Sequence, residues 1–538
     1  MLPVLLRFRL RRDRLQLAIW TLALFALLLV TASAMTSTYP HVADRVGVLR
    51  IALVTPALLV LRGTPQGTSL GDITVFEIAT FQALLIGLMS TFLVVRNSRA
   101  EEDRGTADAL AATAAGRALP TVATLLEAVV AALLAAVGSA LGLIAGGRAI
   151  SGSIVFGVAL GAAGLAFAGL ALLVAQIVPT GRAANGWSTA LVLAAYALRG
   201  IGDATGTPHA ADSTLTPGWA SALSPIGWVQ ATRPYASDDL RPALLAVLVG
   251  AVAAGVALAV QRIRDVGAGL VPEGRRRPAA SLLLRGPIGL AARQLRGSVI
   301  GWGVGALLLG ALGGDLANLV LEQLGKDPAI SRVLVRLAGG TGGLVDGFIG
   351  VIGAFVGMLA AAIAVQGALR LRQEEAAGGA DAVLSGAVGR IRWLLSVLLV
   401  AAGSAAVALV LAGIAAGATA VAVRPDGAAG TFGAWFGTIV WELPAVLVVL
   451  GVVALVFALV PRATIPLGWL LLVVATFLGE FAALLDLPQW LKDLAPFSHS
   501  PAVALADPSF TGAWWMTGIA VVAVAIAALA LRRRDTVP

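Results

Sequence analysis

The chain has 538 residues, of which 59% are hydrophobic and 12% are charged, and its mean hydropathy is +0.92. This balance excludes an ordinary soluble domain, so most of the chain is expected to lie in lipid. The 38 lysines and arginines exceed the 29 acidic residues by nine, and the sequence contains no cysteine. Disulfides, thiolate metal sites and a cysteine nucleophile are therefore excluded.

Apolar runs of about 20 residues, long enough to cross a hydrocarbon core of about 30 Å as helices, recur along the chain. They predict an all-α polytopic membrane protein with twelve transmembrane helices. The predicted spans are 15–36, 74–95, 119–145, 153–178, 186–202, 242–261, 297–320, 346–369, 392–423, 436–460, 464–486 and 512–531. The first span resembles a signal peptide, because an arginine-rich start precedes it and Ala32-Ser33-Ala34 mimics a cleavage site. Its apolar run exceeds the usual length of about 7–15 residues, so we expect a retained helix.

Several segments outside the spans are also apolar or amphipathic. Arg7, Arg11 and Arg14 fall on one face of a helix before the first span, which is typical of a helix at the headgroup level. The apolar segments 46–63 and 331–340 are short for a span, so they are expected at the membrane interface. Tryptophan together with proline predicts short re-entrant hairpins in two further segments, 217–228 and 487–497.

Basic residues are unevenly distributed between the loops. With the amino terminus inside, 26 of the 38 lysines and arginines fall in cytoplasmic segments. The positive-inside rule therefore predicts a multi-pass protein of the plasma membrane with both termini in the cytoplasm. A basic surface of this kind indicates membrane lipids as partners, and nucleic acid is not expected.

Two polar stretches interrupt the apolar sequence at matching places. RAEEDRGTADALAATAAGR at 99–117 aligns without a gap with RQEEAAGGADAVLSGAVGR at 372–390, at an offset of 372 − 99 = 273. Arg99, Glu101, Glu102, Gly105, Asp108, Gly116 and Arg117 match Arg372, Glu374, Glu375, Gly378, Asp381, Gly389 and Arg390. Each stretch follows the second of six spans, which predicts a tandem duplication with two parallel six-helix repeats. The predicted domains are a first half at 1–262, a basic cytoplasmic linker at 263–285 and a second half at 286–538.

Catalytic motifs are missing from the sequence. The chain lacks the GxxxxGK[ST] motif with which a P-loop ATPase holds phosphates, and its two lysines, Lys326 and Lys492, lie in other contexts. No metal-binding spacing surrounds the three histidines. Four carboxylates fall within or near the ends of predicted spans, namely Glu77, Glu127, Glu442 and Glu480. A packing or cavity-lining role is favoured for them over proton coupling.

The first polar stretch resembles the cytoplasmic coupling helix of ABC-2 type exporter permeases, whose pattern is like R-x-E-x-x-x-G-T-x-x-x-L between spans two and three. The corresponding residues here are Arg99, Glu101 or Glu102, Gly105, Thr106 and Leu110. Two copies on a six-plus-six layout resemble the double-length membrane subunits of polyketide-antibiotic exporters of the tetronasin type. The second stretch departs from the pattern, because Gly379 stands where the first has a threonine.

In that family, separately encoded ATPase subunits dock against the coupling helices. The resemblance therefore implies two copies of a soluble ABC ATPase as partners, with Mg-ATP bound there and no cofactor on this chain. It also implies a transport subunit rather than an enzyme, one that moves hydrophobic or amphipathic small molecules outward by alternating access. The alternative is a proton-coupled transporter of the major-facilitator type, although Asp103-Arg104-Gly105 matches only a fragment of its GxxxDRxGRR loop.

Residue spacing favours a docking surface on each polar stretch. Glu101, Gly105 and Asp108 fall at i, i+4 and i+7, which is one face of a helix, and the second stretch repeats them. The predicted ATPase-docking residues are Arg99, Glu101, Glu102, Gly105, Asp108, Arg117, Arg372, Glu374, Glu375, Gly378, Asp381 and Arg390. A solvated amphipathic helix is the alternative for either stretch alone. Gly116 and Gly389 are expected to end these helices.

The resemblance also implies that spans one, two and five of each half line the transport path. The candidate path residues are Phe76, Glu77, Phe81, Met89 and Phe92. A lining of aromatic and methionine side chains suits bulky hydrophobic cargo, and core packing explains the same residues equally well.

Overall fold

Helices make up nearly all of the regular structure, because in lipid each backbone N–H and C=O group must find its partner within the protein. This computed structural model describes residues 1–106, 116–265, 267–271, 286–322, 344–423, 427–481, 488–501, 503–504 and 508–534. The chain divides into two compact units, Met1–Arg276 and Arg277–Pro538. The division falls inside the predicted linker 263–285.

The first unit contains ten helices and one small β-hairpin in its described residues. The helices are α1 (Leu2–Thr38), α2 (Val42–Leu53), α3 (Pro56–Arg62), α4 (Leu70–Arg96), α5 (Arg99–Asp103), α6 (Leu119–Ala145), α7 (Ile150–Ile177), α8 (Gly181–Ala204), α9 (Pro225–Ala231) and α10 (Arg241–Ile263). Strands β1 (Thr207–His209) and β2 (Thr214–Thr216) pair antiparallel, with Pro208 opposite Leu215. A 3-10 turn covers Trp219–Leu223.

The central helix of the first unit is α7, which packs against α4, α6 and α10. Its small residues permit close approach of the neighbouring backbones. A Cβ at Gly169 would lie 2.1 Å from the carbonyl oxygen of Gly250 in α10, and a Cβ at Gly157 would lie 2.4 Å from that of Ala136 in α6. Small residues at such contacts favour helix association in lipid, so the buried core of this unit runs along α7.

The second unit contains nine helices in its described residues. They are α11 (Pro287–Glu322), α12 (Leu344–Ala376), α13 (Gly379–Leu384), α14 (Arg390–Val423), α15 (Ala428–Val440), α16 (Leu443–Leu459), α17 (Thr464–Phe481), α18 (Gln489–Lys492) and α19 (Thr511–Arg533). Short 3-10 turns cover Pro461–Ala463 and Pro496–His499. Glycines again bring two helices together, since Cβ atoms at Gly310 and Gly314 of α11 would clash with backbone carbonyls of α14.

Eleven helical stretches in the described part of the chain are long and apolar enough to cross a membrane. An all-α polytopic membrane protein is therefore confirmed, whereas the predicted count of twelve spans is not. The difference lies at the predicted span 186–202, which falls in α8. That helix has 24 residues and is long enough, but polar side chains that include Arg199 and Asp203 make it less apolar than the other spans. The predicted span 436–460 is built from α15 and α16, which meet at Trp441-Glu442.

The apolar segments predicted at the interface form short helices where the structure describes them. Segment 46–63 includes α3 and most of α2, which have 7 and 12 residues, and neither reaches the about 20 residues that a span requires. Segment 217–228 forms a 3-10 turn and the start of α9, and the described part of 487–497 forms α18 and the start of a second 3-10 turn. Segment 331–340 lies outside the described residues. These lengths suit surface or re-entrant segments better than full spans.

Candidate functional site

Glu102 fixes the first polar stretch to the last helix of its unit. Arg99 Nη1 donates a hydrogen bond to Glu102 Oε2 at 2.6 Å. Arg264, the residue that follows α10, donates to Oε2 at 2.9 Å and to Oε1 at 2.5 Å. Only 12% of the Glu102 side chain is exposed, and the Arg264 side chain is buried. The start of the stretch is thus held against the end of α10 by a buried ion pair.

Arg99 joins three parts of the first unit through backbone carbonyls. Its Nη2 donates to Pro179 O at 2.6 Å and to Gly267 O at 2.9 Å, and its Nη1 donates to Ala268 O at 3.0 Å. Pro179 precedes α8, and the other two residues follow α10. The fully buried guanidinium can serve all these acceptors because it carries five donors in a rigid, planar arrangement. Arg99 is therefore a structural residue of the stretch.

Glu101 is paired within the chain as well. Arg9 Nη2 donates to its Oε2 at 2.6 Å, and Arg12 Nη1 donates to its Oε1 at 2.9 Å. Both arginines belong to α1, and Arg9 also donates to the hydroxyl of Thr124 in α6 at 2.6 Å. The Glu101 side chain is mostly buried. Its charge therefore connects the polar stretch to α1.

Asn97 lies next to this cluster and joins two further carboxylates. Its Nδ2 donates to Asp13 Oδ2 at 3.1 Å and to Glu127 Oε2 at 2.8 Å, and all three side chains are buried. Asp13 also forms ion pairs with Arg12 and Arg96. Glu127, a carboxylate that the sequence placed within a span, thus belongs to a polar network that links α1, α4 and α6.

The second polar stretch contains a buried glutamate with the same kind of partners. Glu375 forms an ion pair with Arg534, the residue that follows α19, and lies 3.7 Å from Arg372. Arg534 Nη1 also donates to Phe457 O at 2.6 Å, and its guanidinium lies over the ring of Phe457, 4.8 Å from the centroid. The second stretch is thereby held against the end of α19.

The two units share one arrangement of contacts between the polar stretch and the end of the last helix. In each unit, a glutamate of the polar stretch binds the guanidinium of the arginine that follows the last helix. The backbone carbonyl of that arginine accepts a hydrogen bond from a second arginine of the stretch, Arg117 to Arg264 and Arg390 to Arg534. We call Glu102–Arg264 and Glu375–Arg534 the anchor pairs. The predicted docking residues Arg117 and Arg390 are therefore part of the anchoring contacts.

The other glutamate of each stretch differs between the units. Glu374 aligns with Glu101, but it is buried beside Trp393 and Arg370 instead of arginines of the unit's first helix. Trp393 Nε1 donates to Glu374 Oε2 at 3.4 Å, and Arg370 Nε lies 3.6 Å from Oε1. The anchor pairs thus have matching partners in both stretches, whereas the partners of Glu101 and Glu374 differ.

Glycine turns follow the anchored glutamates. Gly105 has a φ of +74° and Gly378 a φ of +72°, a left-handed conformation that glycine adopts without steric cost. Because the turn at Gly378 ends α12, Glu374 and Asp381 lie in separate helices. The spacing had predicted one continuous helical face for these residues, and the glycine is the reason that this prediction was wrong. Asp108 lies outside the described residues.

The described parts of both polar stretches contain solvent-exposed residues at these turns and beyond them. Residues 103–106, 116 and 117 are exposed in the first stretch, and residues 373, 376–379, 381, 382, 385–387 and 389 are exposed in the second. Gly116 and Gly389 were expected to end the helices of the stretches, but α13 already ends at Leu384, and the residues before Gly116 lie outside the described part of the chain. Both glycines lie just before the next helix, α6 or α14. The described part of each stretch therefore combines ion-paired glutamates that are largely buried with a glycine turn that is exposed to solvent.

Comparison with known proteins covers nearly the whole chain. It is 36% identical over 533 residues to the multidrug efflux system permease protein Rv1217c of Mycobacterium tuberculosis (strain ATCC 25618 / H37Rv), an alignment that covers 99% of this chain and 94% of that protein. The chain belongs to the Rv1217c family of multidrug efflux permeases. Residues 284–532 of this efflux permease also match the family described as multidrug efflux system permease Rv1217c, C-terminal domain.

Family membership identifies the chain as a membrane permease of an efflux system, and hence as a transport protein rather than an enzyme. It also confirms a multi-pass membrane protein, in agreement with the eleven apolar helices. The major-facilitator alternative is not favoured by these matches. The region matched by the C-terminal family lies within the second compact unit.

The predicted path residues of the efflux permease all lie on α4. Phe76 and Met89 are almost fully buried within hydrophobic clusters of the first unit. Phe81 is partly buried against one of these clusters, whereas Phe92 is 40% exposed. These positions are compatible with core packing and with an outer helix surface. A transport path along them stays a prediction.

The membrane carboxylates occupy different settings. Glu77 forms an ion pair with Arg62 of α3 at 2.6 Å. Glu442 is buried at the junction of α15 and α16, where the Ser500 hydroxyl donates to its Oε2 at 2.6 Å. The side chain of Glu480 lies outside the described residues. Glu77 and Glu442, like Glu127, are thus partnered within their own unit.

A further ion pair that was not predicted from the sequence is buried in α8 of the efflux permease. Arg199 and Asp203 of α8 are fully buried, with Nη1 and Oδ2 3.0 Å apart. Arg199 also donates to Leu59 O at 2.9 Å and Val60 O at 2.7 Å, and Asp203 accepts from the hydroxyl of Ser221 at 3.0 Å. An arginine and an aspartate four residues apart at the end of a predicted span were the available signal. The pair connects α8 to α3.

Proposed function

We propose that this efflux permease is the membrane-spanning subunit of an ATP-driven ABC exporter. The observation that carries the proposal is the pair of exposed glycine turns, residues 104–106 and 376–379, each next to a buried anchor pair. An ATP-driven permease that has no nucleotide-binding motif needs a cytoplasmic surface on which a partner ATPase can act. Through this surface the partner moves the transmembrane helices of the permease. An exposed turn fixed to transmembrane helices meets that need.

In this proposal two copies of a soluble ABC ATPase bind Mg-ATP, and one copy contacts each turn. A displacement of the first turn is transmitted through Glu102 to Arg264 and α10, and through Glu101 to Arg9 and α1. Removal of one member of a buried ion pair typically costs about 3–5 kcal/mol. The turn and these helices are therefore expected to move together, and closure of the ATPases would drive alternating access.

The predicted docking set has two roles in this mechanism. The exposed residues Gly105, Gly378 and Asp381 of the set contact the ATPases, and the exposed Arg104, which was not in the set, joins this contact. The glutamates and arginines that form ion pairs or hydrogen bonds within the chain hold the turns in position, and these are Arg99, Glu101, Glu102, Arg117, Arg372, Glu374, Glu375 and Arg390. The charges exposed on the turns thus set the affinity for the ATPase. The paired charges transmit the movement of the ATPase to the transmembrane helices.

The proposed substrates are hydrophobic or amphipathic small molecules that leave the cell across the plasma membrane. The relative from M. tuberculosis is named a multidrug efflux system permease, which suits cargo of this kind. The aromatic and methionine side chains of α4 offer polarizable apolar surface for such molecules. Both termini would then lie in the cytoplasm with the ATPases.

Copurification of the permease with a soluble ABC ATPase from the same organism tests the proposal. Asp381→Lys reverses an exposed charge on the second polar stretch, and Arg104→Glu does so on the first. Each is expected to weaken ATPase binding about fivefold, because an exposed interface charge contributes on the order of 1 kcal/mol. The melting temperature should not change. Asp212→Lys, an exposed charge reversal near the β-hairpin, is the matched control and should bind normally.

Transport assays in proteoliposomes separate the two classes of transporter. We expect drug efflux only when both the ATPase and ATP are present. Proton-driven efflux by the purified chain alone, with no ATPase bound to it, would contradict the proposal and favour the major-facilitator alternative.

A further inference from the structure

A basic pocket of about 780 Å³ opens in the second unit between the start of α14 and the end of α19. Its charged lining residues are Arg390 and Arg392 of α14 and Arg532 of α19. Apolar lining comes from Ile288 of α11 and from Leu395 of α14, with Leu399 one turn further along. Among the residues that the structure describes, no acidic side chain belongs to this lining. The pocket is therefore cationic at one end and apolar at the other.

Two of the three arginines are available to a ligand. Arg390 is occupied, since it donates to the carbonyl oxygen of Arg534. Arg392 and Arg532 are exposed, and neither guanidinium pairs with a carboxylate in the part of the chain that the structure describes. Guanidinium groups bind phosphate oxygens in a two-pronged geometry, so two of them in one pocket form a strong phosphate site.

The apolar side of the pocket lies on the exposed surface of helices that are long and apolar enough to cross a membrane. Arg392, Leu395 and Leu399 fall at i, i+3 and i+7 on α14, which places the guanidinium and the two leucines along one face of the helix. Leu395, Leu399 and Ile288 are all exposed on a predicted membrane span or beside it. A ligand that fits must combine an anionic head with an apolar tail that continues into the bilayer.

The first unit lacks one of the two available arginines at the position that corresponds to the basic pocket. At the offset of 273 that relates the two polar stretches, Arg392 corresponds to Leu119. The positive-inside rule explains an excess of arginines on the cytoplasmic side, but it does not require that they line a concave site with an apolar wall. Basic pockets between transmembrane helices on the cytoplasmic side are typical binding places for anionic lipid headgroups.

We propose that the basic pocket binds an anionic phospholipid of the cytoplasmic leaflet. The phosphate lies between Arg392 and Arg532, and one acyl chain runs along Leu395, Leu399 and Ile288. The bound lipid would sit beside Arg390, which supports the carbonyl of Arg534 in the second anchor pair. Lipid binding would therefore stabilise the end of α19. This inference is independent of the proposed ATPase partner.

Native mass spectrometry of the full-length protein in detergent, with added phosphatidylglycerol or phosphatidylcholine, tests the site. We expect the wild-type chain to retain phosphatidylglycerol in preference to phosphatidylcholine. Arg392→Gln with Arg532→Gln should weaken phosphatidylglycerol retention about 30-fold, and each single change about fivefold. Arg533→Gln removes an exposed arginine next to the pocket that does not line it, and this control should behave as wild type.

A second measurement separates a lipid from a free phosphate. Phosphatidylglycerol should raise the melting temperature of the wild-type chain but not that of the double variant, and inorganic phosphate at the same concentration should raise neither. Leu399→Ser should weaken the effect of the lipid, because the acyl chain loses its apolar contact. Equal retention by the double variant and the Arg533→Gln control, or equal stabilisation by inorganic phosphate, would overturn the proposal.

Discussion

Glu102 and Arg264 form a two-pronged ion pair, with oxygen to nitrogen distances of 2.9 and 2.5 Å, although 162 residues separate them in the chain. Arg264 ends the last helix of the first unit, and Glu102 follows its second predicted span. The pair is largely shielded from water, which strengthens the attraction between the charges. It therefore links the start of the first polar stretch directly to the end of α10.

Glu102→Ala should destabilise the first unit strongly. Loss of the carboxylate leaves a buried arginine without its counter-charge, which typically costs about 3–5 kcal/mol. Unfolding of the purified protein in mixed micelles with increasing denaturing detergent measures this change. Glu375→Ala should have a comparable effect in the second unit, and Asp212→Ala, at an exposed position, should have almost none. A loss below about 1 kcal/mol for Glu102→Ala would show that the pair contributes little.

Glu101→Lys distinguishes an internal role of this glutamate from direct docking. The new lysine would lie between Arg9 and Arg12, so two ion pairs would be replaced by repulsion among three cations. We expect a clear drop in melting temperature, from a cost of at least about 3 kcal/mol, together with weaker ATPase binding. Glu101→Gln should be milder because it adds no charge. An unchanged melting temperature with lost ATPase binding would instead favour direct contact with the partner.

Tyr235 predicts a pH effect on stability. Burial raises the pKa of this phenol, in the loop before α10, to about 12, although its hydrogen bond with Ser153 at 2.8 Å acts in the opposite direction. An unfolded tyrosine titrates near pH 10, so between about pH 10 and 12 the folded state keeps a proton that the unfolded state releases. Stability should fall there by about 1 kcal/mol for each pH unit, with no contribution below about pH 10.

Comparison of the wild type with Tyr235→Phe isolates this contribution. Melting temperatures measured from about pH 9 to 11 should decline less steeply for the variant, since it has no phenolic proton to lose. Parallel declines for the two proteins would rule out a role for Tyr235 in the alkaline sensitivity.

Two glycines of α10 should respond in opposite ways to alanine. A Cβ at Gly250 would lie 2.5 Å from the carbonyl oxygen of Leu165 in α7, whereas a Cβ at Gly255 meets nothing within 4 Å. Gly250→Ala should therefore cost about 1–3 kcal/mol, because the helices must separate. Gly255→Ala should be neutral or stabilise the helix by up to about 1 kcal/mol. Similar stabilities of the two variants would contradict the close approach of α7 and α10.

The sequence predicted the all-α membrane class and the location of the polar stretches well. Hydropathy over about 20 residues is a local property, so spans could be recognised without knowledge of their neighbours. The twelfth predicted span, 186–202, is not confirmed by the same property, because polar side chains that include Arg199 and Asp203 make α8 less apolar than the other helices. Hydropathy does not reveal that these two charges pair with each other inside the unit.

The roles of the glutamates could not be predicted in the same way. Spacing suggested that Glu101 and Glu374 were exposed, but their surroundings depend on residues far away in the chain, such as Arg9 and Trp393. The left-handed turn at Gly378 also interrupts the helix on which the spacing argument relied. Periodicity assumes an unbroken helix, and a glycine can end one at little cost.

The anchor pairs also constrain how the protein can be made. Glu102 leaves the ribosome 162 residues before Arg264, and Glu375 leaves it 159 residues before Arg534. At the usual rate of about 5–20 residues per second, each glutamate waits on the order of ten seconds for its partner. Throughout that interval the intervening helices must insert while a carboxylate destined for burial remains unpaired. Completion of the last helix is thus the event that finishes each unit.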